Sequence, residues 1–371
     1  MRSFLVLAGS AGLAAAHGIL DGAVVDGTYY PMYDPRLDND YPGIKRITWG
    51  YPKTNAEGTG PVEQVASKDI ACRFGPLVEP KINAVARAGS KITFEWTPWF
   101  GNHRGPVLTY MGLIPDEKTT VNDVNFFKID ELGYDKEKDL WGTDDIINNN
   151  STRTVTIPSD IKPGMYAVRT ELIGLHFSWR ENKEKKTSGA QLYPTCIKVQ
   201  VTGSGTATPP GVKFPGAYNW RDPGILVNIH YGPKRYITPG PAVYKGERNP
   251  PEGPVPVVKE TGEMTGEEGK AYSVARIEHG KQLLKSVAND IRDGKTGLGG
   301  CFWEDGADPS TVKCTEINPT SPGHPYVGYA QPVNSPGYTE TPGSAMKGNK
   351  PPPASYGNEN GPNKRAVEFT G

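Results

Sequence analysis

The chain has no surplus of charge: 41 Lys and Arg balance 41 Asp and Glu across 371 residues. Nucleic-acid binding and adhesion to an anionic membrane both favour a basic excess, so neither is expected. No run reaches the ~20 apolar residues needed to cross a bilayer. The C-terminal "KRAVEFTG" is too polar for a GPI signal. There is no internal repeat, no strict helical period of useful length before residue 247, and no persuasive pair of carboxylates of the kind that flank a bond in glycoside hydrolysis. Cysteine is scarce. The four are Cys72, Cys196, Cys301 and Cys314. No two have C-x-x-C spacing, which argues against zinc or dithiol redox chemistry.

Glycine (45) and proline (35) are abundant, and they favour strands joined by turns. Period-two alternation supplies the strands. "KITFEWT" sets Ile92, Phe94 and Trp96 against Thr93, Glu95 and Thr97. "TCIKVQVTG" sets Ile197, Val199 and Val201 against Lys198 and Gln200, and "RTVTIP" places Val155 and Ile157 on one face. "GPVLTYMGLI", "GMYAVRTELIGL" and "GILVNIHY" are further candidates. One wet face and one dry face is the mark of antiparallel sheets, and seven or more such strands predict a β-sandwich.

The N-terminus has a positive start, a short apolar stretch and Ala14-Ala15-Ala16, an A-x-A cleavage site. Together these predict a secretory signal peptide over 1–16 and a secreted, extracellular protein. His17 then becomes the first mature residue, with a free α-amine beside its ring. In a secreted chain an even set of cysteines is expected to form disulfides, with three possible connectivities. Cys301 and Cys314 are close enough in sequence to close a local loop, and Cys72 with Cys196 would then tie distant segments. "NNNST" holds overlapping glycosylation sequons at Asn149 and Asn150.

The histidines are His17, His103, His176, His230, His279 and His324. Gln191 and Tyr193, two apart on a candidate strand, share a face and can point at one spot. A free α-amine has a pKa of about 7.7–8.0 and yields its proton readily to a metal. That amine, its own imidazole and one further imidazole make three nitrogens in a near-planar T, an arrangement that favours Cu(II).

Several motifs carry a resemblance. They are "HGILDGAVVDGTYYPMYDP", "NHRGPVLTYMGLIP", "FFKIDELG", "VTIPSDIKPGMYAVRTELIGLH", "GAQLYPTCIKVQVTGSGTATPPGVKFPGAY" and "DPGILVNIHYGPKRYITPGPAVY". In this order, from 17 to about 246, the chain resembles the fungal lytic polysaccharide monooxygenases of auxiliary activity family 9, formerly glycoside hydrolase family 61. The resemblance implies an immunoglobulin-like antiparallel β-sandwich with long loops. It implies one copper per chain, bound by the His17 amine and Nδ1 and by His103 Nε2, with Tyr193 axial. His176 and Gln191 would be the catalytic neighbours that hold and protonate the oxygen species. Cys72–Cys196 would be the family disulfide, and Tyr236 a substrate-binding aromatic on a flat face. The implied activity is oxidative cleavage of a β-1,4-glucan such as cellulose at C1 or C4, with O₂ or H₂O₂ as cosubstrate and an external electron donor. A monomer is expected. The competing expectation is a non-catalytic secreted protein that binds copper or glycan on the same fold.

Two stretches depart from the family pattern. "FSWRENKEKKTSGA" is long and basic, with Arg180, Lys183, Lys185 and Lys186, and is expected to affect glycan choice. Residues 247–270 read as a Pro/Gly/Glu-rich linker, 271–294 as one amphipathic helix, and the final fifty or so residues as disorder. The expected organisation is therefore a signal peptide (1–16), a sandwich domain (17–246) and a C-terminal extension of unknown role (247–371).

Overall fold

The computed structural model describes residues 17–275, apart from 42, 55–57, 98, 100, 232 and 263–265. The expected signal segment, Cys301, Cys314, His279, His324 and the remainder of the expected 271–294 helix lie outside these residues.

Two sheets form the body. The first has strand order β2-β1-β4-β9, from Leu20–Val25 (β1), Thr28–Pro31 (β2), Lys91–Trp96 (β4) and Thr152–Thr156 (β9). The second has order β3-β11-β10-β5-β6, from Ala84–Arg87 (β3), Val107–Ile114 (β5), Phe127–Leu132 (β6), Gly164–Gly174 (β10) and Gln191–Thr202 (β11). A short hairpin, Tyr134–Asp135 (β7) with Leu140–Trp141 (β8), leads into the helix Gly142–Asn148 (α1). The pairing is antiparallel except for β3 on β11, which is parallel.

The alternation read from the sequence sets the core. Ile92, Phe94, Trp96, Val155, Ile197, Val199 and Val201 are all buried between the sheets. A second apolar cluster lies on the other side of the five-stranded sheet and includes Trp49, Ile70, Cys72, Leu192 and Cys196. Long segments cover that side, so β10 and β11 are buried on both faces. The Cys72–Cys196 disulfide, with Cα atoms 5.1 Å apart, joins one of these covering segments to β11. Arg169 of β10 holds the same segment, donating to the carbonyls of Ile70 and Ala71 at 2.8 Å each. Its charge is met by Glu171 at 2.6 Å.

Two expectations change. Residues 224–231 form turns and not a strand. The Asp222 carbonyl accepts from Ile225 and Leu226 N–H at 2.8 Å each, and this curls the backbone away from extended geometry. Ile225 is buried, and Val227 and Ile229 are half-buried against the same apolar cluster. The second change concerns 247–270, which does not behave as a free linker. Asn249 N–H donates to Ser159 Oγ, and Arg87 donates to the Gly253 carbonyl. A helix over 266–275 (α2) then seats Tyr272 against Leu37, Ile44 and Tyr41. The Tyr272 hydroxyl donates to Asp38 Oδ1 at 2.6 Å, and Arg46 donates to Tyr272 Oη, Asp38 Oδ2 and the Gly262 carbonyl. A segment poor in apolar residues needs no core of its own when the sandwich supplies the partners, so Gly246 is not a structural break.

Candidate metal centre

His17 lies three residues before β1. Its neighbour Ile19 exchanges hydrogen bonds with Thr97, which fixes the entry of the chain beside β4. Gly18 is required there: a Cβ would sit 2.8 Å from the Trp99 ring. His103 lies in the connection between β4 and β5. The main chain from 104 to 106 runs along the end of β10, with Leu175 N–H donating to the Arg104 carbonyl at 2.8 Å and Ile173 N–H to Pro106 at 3.1 Å. Gly105 makes this approach possible, because a side chain there would collide with the Ile173 carbonyl. His176 follows the end of β10. Gln191 and Tyr193 stand opposite Gly174 and Leu172 on β11.

These five residues, scattered from position 17 to position 193, meet at one end of the sandwich. The His17 and His103 rings are 6.1 Å apart and nearly perpendicular. The Tyr193 ring is 6.1 Å from His17, and the His176 ring is 4.1 Å from His103. The Tyr193 hydroxyl donates to Gln191 Oε1 at 2.7 Å, and Gln191 also engages the His103 ring.

The donor atoms are set by their other partners. His103 Nδ1 pairs with Asn102 Oδ1 at 2.6 Å, so the proton sits on Nδ1 and the lone pair on Nε2. His17 Nδ1 is buried with no hydrogen-bond partner among the described residues. A buried ring nitrogen left this way suits a metal ligand. Burial lowers the pKa of all three histidines: His103 to about 2, with His176 and His17 adding to the effect, and His176 to about 4, with His230, His17 and Arg180 adding. For His17 the second cause is the nearby cation of Arg73. All three rings are therefore neutral near pH 7, the form that binds metals. No group of three His, Cys, Asp or Glu side chains is arranged for a metal among the described residues. Two imidazoles plus the His17 amine need no third side chain, and that amine exists only once the 16–17 bond is cut.

The sequence does not single out four residues that shape this centre. Trp99 is buried, donates from Nε1 to the His103 carbonyl at 3.1 Å and packs edge-on to Tyr193 at 5.0 Å. Asn102 fixes the His103 tautomer. Arg73 lies 5.3 Å over the Tyr193 ring. His230 pairs through Nε2 with the His176 carbonyl at 2.9 Å, so it is not remote from the site. Of the four, only histidine is an ordinary metal-ligand type.

Tyr236 is placed differently from an open aromatic platform. It is half-buried, edge-on to Trp141 at 4.7 Å, and its hydroxyl donates to the Gly224 carbonyl at 2.8 Å. The exposed aromatics near the centre are Tyr231 and Trp179, at 90% and 47%. Trp179 belongs to the basic stretch, where Asn182 and Thr187 pair as a small hairpin that exposes Lys183, Lys185 and Lys186. Ser178 and Ser188 anchor its base to the carbonyls of Val227 and Ile225. The sequons fall at the end of α1. Asn149 Nδ2 donates to the Asp145 carbonyl, and Asn150 is exposed with a φ of 55°.

The model of Auxiliary Activity family 9 (formerly GH61) matches residues 17–236. "AA9 family lytic polysaccharide monooxygenase A" of Geotrichum candidum is 44% identical over 247 residues, covering 65% of this chain and 81% of the relative. "AA9 family lytic polysaccharide monooxygenase B" of the same organism is 42% identical over 292 residues, covering 77% and 75%. Among solved structures, the "Extended catalytic domain of H. jecorina LPMO9A" matches with a TM-score of 0.55 and 33% identity, covering 66% of this chain and 94% of that one.

Proposed function

The chain belongs to Auxiliary Activity family 9, and from that premise we propose that it is a secreted, copper-dependent lytic polysaccharide monooxygenase acting on β-1,4-linked glucans such as cellulose. One observation carries the reading: two neutral imidazoles, one with an orphaned buried Nδ1, face each other beside a tyrosine hydroxyl. Nitrogen donors in this arrangement suit Cu(II), and the mature His17 amine would complete the set.

His17 and His103 would hold the ion, with the Tyr193 ring beside His17. Copper held there would supply one-electron chemistry with O₂ or H₂O₂ and an external donor, of the kind that hydroxylates a sugar at C1 or C4. The chain's own residues do the rest. Trp99 and Asn102 keep the His103 ring from rotating. Gln191 accepts from Tyr193, which fixes both side chains and leaves the amide nitrogen of Gln191 as a hydrogen-bond donor in the site. His176, 4.1 Å from His103, presents a second polar group to the same space and can hold or deliver a proton there. Trp179 and Tyr231 offer exposed rings on which sugar faces can stack.

The test is release of oxidised oligosaccharides from cellulose by copper-loaded mature protein. Products should require ascorbate and disappear with a chelator. Tight copper binding without products under any donor would favour the non-catalytic alternative.

A further inference from the structure

Resting on the copper reading above, we propose that Arg73 is a positioning residue of the metal centre whose uncompensated cation biases the bound ion toward Cu(I). Among the described residues three arginines are buried: Arg46, Arg73 and Arg169. Arg46 is neutralised by Asp38 at 2.9 Å and Arg169 by Glu171 at 2.6 Å. Arg73 is different. It is 1% exposed, and no carboxylate pairs with it among the described residues. Its Nη2 donates to the carbonyls of Gly58 and Thr59 at 3.3 and 2.6 Å. Its Nε and Nη1 have no hydrogen-bond partner among the described residues. Three aromatic rings surround the guanidinium instead: Tyr51 at 5.8 Å, Phe74 at 5.7 Å and Tyr193 at 5.3 Å.

Burying an unpaired cation is costly, and the fold accepts a second cost to put it there. Arg73 has a φ of 99°, a left-handed value that side chains other than glycine rarely adopt. The preceding Cys72 is locked to β11 by its disulfide, three residues along that strand from Tyr193. A cation held this rigidly, beside the ring that faces His17, acts on the centre through space. Cu(II) carries one more positive charge than Cu(I), so the guanidinium penalises Cu(II) more. At an effective dielectric of ~20 and a separation on the order of 10 Å, the bias is about tenfold in relative affinity. Burial protects it from salt screening.

The experiment measures Cu(II) and Cu(I) dissociation constants of the mature protein by competition with chromophoric chelators. Native protein is compared with Arg73→Met, Arg73→Gln and Arg73→Lys. Arg73→Gln keeps an N–H for the Thr59 carbonyl but loses the charge. The Met and Gln variants should lower the Cu(I)-to-Cu(II) affinity ratio about tenfold, and Arg73→Lys should restore it. An unchanged ratio in the Gln variant, or an equal shift in the Lys variant, overturns the proposal. So does failure of both neutral variants to fold while the Lys variant folds, because the charge is then structural. Failure of native protein to bind Cu(II) would sink the copper reading instead.

Discussion

One extra residue ahead of His17 would turn its α-amine into an amide, a poor metal donor near neutral pH. Loss of a hydrogen bond to a ligand already costs about 10–100-fold in metal affinity, so loss of a ligand atom should exceed that. Isothermal titration with Cu(II) should show the drop for protein carrying an additional residue before His17. Unchanged affinity would dismantle the ligand assignment. The sequons are argued at the same scale. Asn149 uses its amide nitrogen on the Asp145 carbonyl, whereas Asn150 projects from an exposed turn. Glycopeptide mapping of secreted protein should find the glycan on Asn150, and a glycan on Asn149 would contradict this. The five residues that converge were legible as candidates from their types and from the family resemblance. Arg73, Trp99 and Asn102 were not, because their roles depend on which rings and carbonyls the fold brings next to them.

Strands with one wet face were legible by their period. Those buried on both faces, such as β10, were legible only as apolar runs, and such runs are ambiguous. "GILVNIHY" shows why: it has strand composition, but Asp222 turns its start and Ser178 and Ser188 hold it as loop. The parallel pairing of β3 with β11 leaves no local trace in either segment. The basic hairpin is an element whose tip and base do different things. Its base starts at His176 and is anchored by serines, whereas its lysines are exposed at the tip. Changing Lys183, Lys185 and Lys186 to Ser should leave the Cu(II) EPR spectrum unaltered and shift the profile of oxidised products across several β-glucans. A changed spectrum would place the tip at the metal.

At the scale of the molecule, the domain continues beyond Gly246. Ending the chain there removes Tyr272 and the Gly262 carbonyl, leaving Arg46 and Asp38 without three hydrogen bonds. Urea unfolding should show a loss of about 2–3 kcal/mol relative to protein ending at 275. Copper affinity should not move, because Asp38 and Arg46 touch none of the centre's residues. Equal stability would mean that the docked helix contributes nothing. The covering segment is secured more strongly, since closing a loop of 124 residues by Cys72–Cys196 is worth about 5 kcal/mol by chain entropy. The position of β10 has its own consequence. It is bonded along both edges, to β11 and β5, and covered on both faces. Its amides can meet solvent only when the whole domain opens. Arg104 and Pro106 are tied to its end, His176 follows it, and Tyr193 sits on its neighbour. Local breathing of β10 therefore cannot release His103 or Tyr193 singly. On warming, these two side chains stay in place until the fold itself is lost.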